Sequence, residues 1–102
     1  MMYTYKITIK RWVDGDTLDA DVDLGFGVHT GIRFRLLELD TPEKGQDNFK
    51  EAKECAEDIY PIGSTLVVTS IKGTDKYGRW LVSLPLVNQA INKARLNKAD
   101  LK

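Results

Sequence analysis

The sequence has little cysteine, no long apolar run and no excess of either charge. Its single cysteine, Cys55, excludes an internal disulfide, and nothing near it has the spacing of a Cys/His zinc site. No apolar run approaches the roughly 18 residues of a membrane-spanning helix, and the first six residues lack the apolar segment of a signal peptide. Fifteen basic and fifteen acidic residues cancel. Any contact with nucleic acid must therefore depend on a few placed side chains and not on a basic surface.

The length and composition of the sequence indicate one globular domain, residues 1–102. The length suits a single domain, and 42% hydrophobic with 29% charged residues is an ordinary composition. We expect a monomer with no membrane partner. If the chain is complete the location would be cytoplasmic, and if a leader has been removed the protein would be secreted.

The first forty residues predict three β-strands joined by turns. Apolar and polar side chains alternate, which is the period of half-buried strands. Asp14-Gly15 and Gly25-Phe26-Gly27 mark the turns. Leu36-Leu37 breaks the alternation, which indicates either two covered faces or a bulge. The strands are predicted over residues 3–13, 17–24 and about 28–39.

The remaining residues predict a helix, two more strands and a second helix. Apolar residues recur at three- and four-residue steps through 49–59 and again through about 87–98, and the two strands span 64–71 and 79–86. The order βββ-α-ββ-α fits a mainly β, α+β fold with a five-stranded barrel of the oligonucleotide/oligosaccharide-binding (OB) kind. A small α+β sandwich is the alternative from the pattern alone.

Three short clusters contain residues suited to catalysis or metal binding. Each cluster also has an ordinary structural explanation when it is taken alone. The first, Asp14-Gly15-Asp16-Thr17, could simply be a hairpin turn. However, Asp16 has the same parity as the apolar Leu18 and Ala20, so its carboxylate points towards the buried side. A carboxylate in that position needs a compensating partner or a metal ion.

The second cluster follows the third strand. Asp40 and Glu43 lie within nine residues of Arg35, which places two acids and a guanidinium in one short stretch. Thr41-Pro42-Glu43 could instead begin a helix, with Thr41 as N-cap and proline at the first position.

The third cluster, Asp75-Lys76-Tyr77-Gly78-Arg79, is a turn-forming segment between the last two strands. Arg79 has the opposite parity to Trp80, which we expect in the core, so Arg79 can face a site on the other side. Together the clusters supply what phosphodiester hydrolysis needs. Carboxylates can hold a hard cation and activate water, and guanidiniums match phosphate oxygens.

The order and spacing of these clusters resemble the staphylococcal nuclease (thermonuclease) family across residues about 5–95. The strings that carry the resemblance are Asp14-Gly15-Asp16-Thr17, Arg35-Leu36-Leu37, Asp40-Thr41-Pro42-Glu43, Asp75-Lys76-Tyr77-Gly78-Arg79 and Val87-Asn88. The family fold is a five-stranded OB barrel with helices. The resemblance implies a Ca²⁺-dependent endonuclease that hydrolyses DNA and RNA with little sequence preference and leaves 3′-phosphates.

The resemblance also implies a role for each matching residue. Asp16, Asp40 and the main-chain carbonyl of Thr41 would hold the calcium ion. Glu43 would be the general base, or would orient the attacking water.

Four further matching residues would contact the substrate. Arg35 and Arg79 would bind the scissile phosphate, with Arg79 also assisting the leaving oxygen. Lys76 and Tyr77 would contact a neighbouring phosphate.

The sequence departs from the family after the second predicted helix. A pair of base-stacking tyrosines is missing there, and Ala94-Arg95-Leu96 stands where a Gly-Leu-Ala turn is expected. Other aromatic residues could take over the stacking, the candidates being Trp12, Phe26 and Trp80. The only histidine, His29, has no partner in the sequence pattern and is expected to be a surface strand residue, not a catalytic base. Two alternatives therefore stay open: a module of the same fold that binds nucleic acid or protein without cleaving, and a weakly active nuclease.

Overall fold

The computed structural model describes residues 2–74 and 80–97, which form five strands and two helices. In chain order the elements are β1 (Met2–Asp14), β2 (Thr17–Gly25), β3 (Val28–Leu36), α1 (Phe49–Ile59), β4 (Thr65–Thr74), β5 (Trp80–Val82) and α2 (Pro85–Lys93). The predicted order βββ-α-ββ-α is confirmed. Within the described residues, neither helix is long and apolar enough to cross a membrane.

The strands pair in the order β1-β2-β3-β5-β4 and close as a barrel. β1 pairs antiparallel with both β2 and β4, whereas β3 and β5 form a parallel pair. A mainly β, α+β barrel of this kind is compatible with an OB-like fold. The closed ring of strands favours the barrel over the α+β sandwich.

The predicted ends of two strands were wrong. β3 ends at Leu36 and not at Leu39, because the chain turns through Glu38, whose φ of 59° leaves the extended region. β5 ends at Val82, since Pro85 begins α2. Proline lacks an N–H and has a fixed φ, so it suits the first turn of a helix better than the interior of a sheet.

The core fills the barrel and the space beneath the helices. α1 presents two small, fully buried residues, Ala52 and Ala56, which allow close approach to the barrel. A Cβ on Gly15 would lie 3.0 Å from Ala52 Cβ and 2.9 Å from Thr41 Cγ2, so the turn after β1 needs glycine. The largest side chains with almost no exposure include Trp12, Ile7, Ile9, Leu18, Leu36 and Ile91.

The exposure of the two tryptophans differs from what the sequence indicated. Trp12 is buried and its Nε1–H donates to the Tyr60 carbonyl at 2.9 Å, so it is not available to stack on a base. Trp80 is 39% exposed, and its assignment to the core was wrong. In the sheet it lies opposite Phe34 of β3. Trp80 lines a groove of about 170 Å³ together with Tyr5, Val22, Leu24, Thr30, Ile32 and Phe34.

Candidate functional site

Asp16 lies in the turn between β1 and β2, and its carboxylate is buried. Its main-chain N–H donates to Asp14 Oδ1 at 3.1 Å. Oδ1 accepts a hydrogen bond from the Thr17 hydroxyl at 2.9 Å, and Oδ2 accepts the main-chain N–H of Thr41, also at 2.9 Å. The inward position that strand parity predicted for Asp16 therefore brings with it a set of hydrogen-bond donors.

The charged partner of Asp16 is Arg35, which lies opposite Thr17 in the β2–β3 register. Arg35 Nη1 is 2.8 Å from Asp16 Oδ2, and Arg35 Nη2 is 4.0 Å from Asp40 Oδ1. One guanidinium thus contacts two carboxylates that are 24 positions apart in the sequence. The Asp40 side chain is 45% exposed, so the cluster has a buried end at Asp16 and an open end at Asp40.

Thr41 lies beside this pair and is fully buried. Its N–H is bound by Asp16, and its hydroxyl has no hydrogen-bond partner within the described part of the chain. The alternative that Thr41 begins a helix was wrong, because α1 starts at Phe49 after Asn48. The segment from Leu39 to Glu43 has no helix or strand structure.

Two neighbouring carboxyls in the turn differ in their affinity for protons. Burial, together with hydrogen bonding to Asp16 and the charge of Asp16, raises the pKa of Asp14 to about 7. Burial also acts to raise the pKa of Asp16, but hydrogen bonds from Asp14 and Thr41 and the charge of Arg35 outweigh it and lower that pKa. Asp16 therefore stays ionised as the charged member of the pair.

The donor set suits a hard cation. Calcium binds carboxylate and carbonyl oxygens, and Asp16, Asp40 and the Thr41 carbonyl are of these types. Among residues 2–74 and 80–97, no group of three or more Asp, Glu, His or Cys side chains is close enough to hold a metal. A cation here would therefore depend on two carboxylates, one carbonyl and further oxygens from water or a phosphate.

Glu43 is not joined to this cluster. Glu43 is exposed, its N–H donates to Gln46 Oε1 at 2.8 Å, and within the described residues its carboxylate makes no hydrogen bond or ion pair. Lys76, Tyr77 and Arg79 lie outside the described residues.

Two asparagines that sequence reasoning did not place in the site bond to the main chain after β3, Asn97 at Asp40 and Asn88 three positions earlier at Leu37. Asn88 Nδ2 donates to the Leu37 carbonyl at 2.9 Å, and Asn97 Oδ1 accepts the Asp40 N–H at 3.0 Å. Val87-Asn88 was part of the resemblance but carried no role. Asn97 gave no signal, because it lies near the end of the predicted second helix, whereas α2 ends at Lys93.

Charged residues on the outer face of the barrel pair with one another instead. Asp19 lies 2.9 Å from Arg11 Nε and 2.7 Å from Arg33 Nε. His29 Nδ1 is 2.7 Å from Asp21 Oδ2, and His29 is an exposed residue of β3, as predicted. These pairs lie across the sheet surface, apart from the cluster at Arg35.

Comparison with known proteins gives no family assignment. No family model matches the chain. The chain is similar to Protein ParB of Escherichia coli, with 30% identity over 95 residues. The match covers 89% of this chain and 50% of that protein. The chain therefore spans about half the length of the curated relative it matches.

Proposed function

We propose that the protein is a Ca²⁺-dependent phosphodiesterase of the staphylococcal nuclease type, cleaving DNA and RNA with little sequence preference to leave 3′-phosphates. The observation that supports this most is the position of Arg35 between the carboxylates of Asp16 and Asp40. A guanidinium beside two acids combines a phosphate-binding group with oxygen ligands for a cation.

Arg35 is suited to hold the scissile phosphate. Its guanidinium carries five N–H donors. Within the described residues, Nη1 lies 2.8 Å from Asp16 Oδ2 and donates to the Leu36 carbonyl at 3.5 Å. The remaining donors can bind two oxygens of one phosphate in the planar, bidentate manner of guanidinium groups. Calcium bound by Asp16, Asp40 and the Thr41 carbonyl would offset the negative charge of that phosphate.

Glu43 is suited to act on water because its carboxylate is exposed and lies two residues after Thr41. In the proposed reaction Glu43 takes a proton from water as the water oxygen bonds to phosphorus. The bond from phosphorus to the 5′ oxygen breaks, and that oxygen gains a proton with the assistance of Arg79. The products are a 3′-phosphate and a 5′-hydroxyl.

A matched pair of arginine variants tests this proposal. Arg35→Lys keeps the charge but loses the planar donors, so cleavage of single-stranded DNA should fall roughly 10²-fold. Arg33→Lys changes the same residue type two positions earlier, where the partner is Asp19, and should leave the rate within about twofold. Release of acid-soluble nucleotides is the measurement. Equal rates for the two variants would contradict the proposal.

The second candidate is a binding module of the same fold, with weak or no cleavage. The exposed Trp80 ring and the fully exposed Phe26 support it, because aromatic rings can stack on bases. Fluorescence anisotropy with labelled single-stranded DNA separates the two functions. Binding without any product in calcium would favour the module, whereas product release would favour the nuclease.

A further inference from the structure

Asn97 is a buried polar residue that lies four positions after the end of α2 and is 2% exposed. Its side chain reaches the segment that follows β3. Oδ1 accepts the Asp40 N–H at 3.0 Å, and Nδ2 donates to the Glu38 carbonyl at 3.3 Å and to Asn92 Oδ1 at 2.8 Å. A buried amide that is bonded on both its oxygen and its nitrogen is held in one orientation.

The segment that Asn97 holds begins where β3 ends. β3 ends at Leu36, Leu37 donates its N–H to the Val82 carbonyl, and Glu38 has a left-handed φ of 59°. Beyond this point the Thr41 N–H is bound by Asp16. The main chain around Asp40 is therefore fixed by two side chains, Asp16 on one side and Asn97 on the other.

The Asp40 carboxylate itself has little to orient it. It is 45% exposed, and its ion-pair contact with Arg35 is 4.0 Å long. Exposed ion pairs at such distances contribute little energy. The direction of this carboxylate consequently depends on how its main chain is held.

We infer that Asn97 is a positioning residue for Asp40, so that the residues after α2 form part of the cation and phosphate site. The expected effect on calcium affinity rests on the proposed function. The effect of Asn97 on the Asp40 main chain can be measured without any cation. Removal of a residue that orients a metal ligand typically lowers the metal affinity 10- to 100-fold.

The test compares Asn97→Ala with Asn88→Ala. Both variants remove a hydrogen bond between the C-terminal part of the chain and the residue 37–41 segment, but only Asn97 bonds to Asp40. In EDTA, amide hydrogen exchange followed by NMR should be at least 10-fold faster at Asp40 in Asn97→Ala and unchanged there in Asn88→Ala. In calorimetric titration, calcium affinity should fall roughly 10- to 100-fold for Asn97→Ala and by less than about threefold for Asn88→Ala.

Different outcomes test the positioning role of Asn97 and the proposed function. Unchanged exchange at Asp40 in Asn97→Ala, or equal losses of calcium affinity in both variants, would overturn the positioning role. A wild-type protein that binds no calcium would overturn the proposed function, while the exchange rates would still decide whether Asn97 holds Asp40. If Asn97→Ala does not fold, Asn92→Ala removes a bond that orients the Asn97 amide and should also speed exchange at Asp40.

Discussion

Arg35 Nη1 lies 2.8 Å from Asp16 Oδ2 and joins β3 to the turn that precedes β2. Both residues are anchored by the barrel, since Thr17 and Arg35 are partners in the β2–β3 register. The buried half of the candidate site is therefore held by main-chain pairing within the barrel. The exposed half, at Asp40, lies on a segment that depends on side-chain hydrogen bonds.

Replacing Glu43 with Gln should lower the cleavage rate by orders of magnitude and leave stability unchanged. Glu43 precedes α1 by six residues, so it does not stabilise the helix dipole, and its carboxylate has no partner in the described residues. Cleavage assays and thermal melting of the same purified variant measure both effects.

Glu51→Gln is the matched control, because Glu51 is the acidic residue in the first turn of α1. It should lower stability by about 0.3–1 kcal/mol, the value of a charge near a helix N-terminus, and leave cleavage intact. If Glu43→Gln cleaves normally and melts at a lower temperature, Glu43 has no catalytic role.

Asp14→Asn should alter the pH dependence of stability. The pKa of Asp14 is about 7 in the folded protein and 3.8 ordinarily, so between these values the folded state keeps a proton that the unfolded state releases. The free energy of unfolding of the wild type should therefore fall as pH rises from about 4 to about 7. Asparagine removes the titration, and the variant should be more stable than the wild type at pH 8 by on the order of 1 kcal/mol.

Urea unfolding in EDTA at pH 5 and pH 8 checks this expectation. The exposed Asp47 provides the control variant, Asp47→Asn, which should follow the wild type at both pH values. Parallel behaviour of Asp14→Asn and wild type would show that Asp14 does not hold a proton in the folded state.

Arg95→Gly should stabilise the protein by about 0.5–1 kcal/mol. Arg95 has a φ of 60°, its N–H bonds to the Asn92 carbonyl, and the Leu96 N–H bonds to the Ile91 carbonyl. This is the Schellman arrangement, in which the left-handed residue is usually glycine because a Cβ is unfavourable there.

Ala94→Gly is the control, since Ala94 has an ordinary helical φ of −80°. Glycine should cost about 0.5–1 kcal/mol at that position. Urea unfolding distinguishes the two variants by sign, and a loss of stability in Arg95→Gly would contradict the account of this turn.

The order of the elements could be predicted from the sequence because alternation and helical spacing are local properties. Strand parity also placed Asp16 on the buried side. Parity could not predict the exposure of Trp80, since it specifies a face and not whether neighbouring strands extend far enough to cover that face. Trp80 is 39% exposed although it has the same parity as the buried Val82.

Contacts between distant residues were beyond sequence reasoning. The partners of Asn97 in the residue 38–40 segment are 57 and 59 positions away, and no period or motif links them. The raised pKa of Asp14 likewise depends on its burial beside Asp16, which becomes apparent only once the turn is packed.

Calcium-dependent cleavage is tested most directly with the wild-type protein. Single-stranded DNA and RNA are each incubated with it in calcium, in magnesium and in EDTA. A Ca²⁺-dependent nuclease should release acid-soluble nucleotides carrying 3′-phosphates in calcium and none in EDTA. Magnesium should give much less product, because it requires near-ideal octahedral geometry and keeps its waters. Equal release in calcium and in EDTA would contradict the metal-dependent mechanism, and no release under any condition would contradict the enzyme itself.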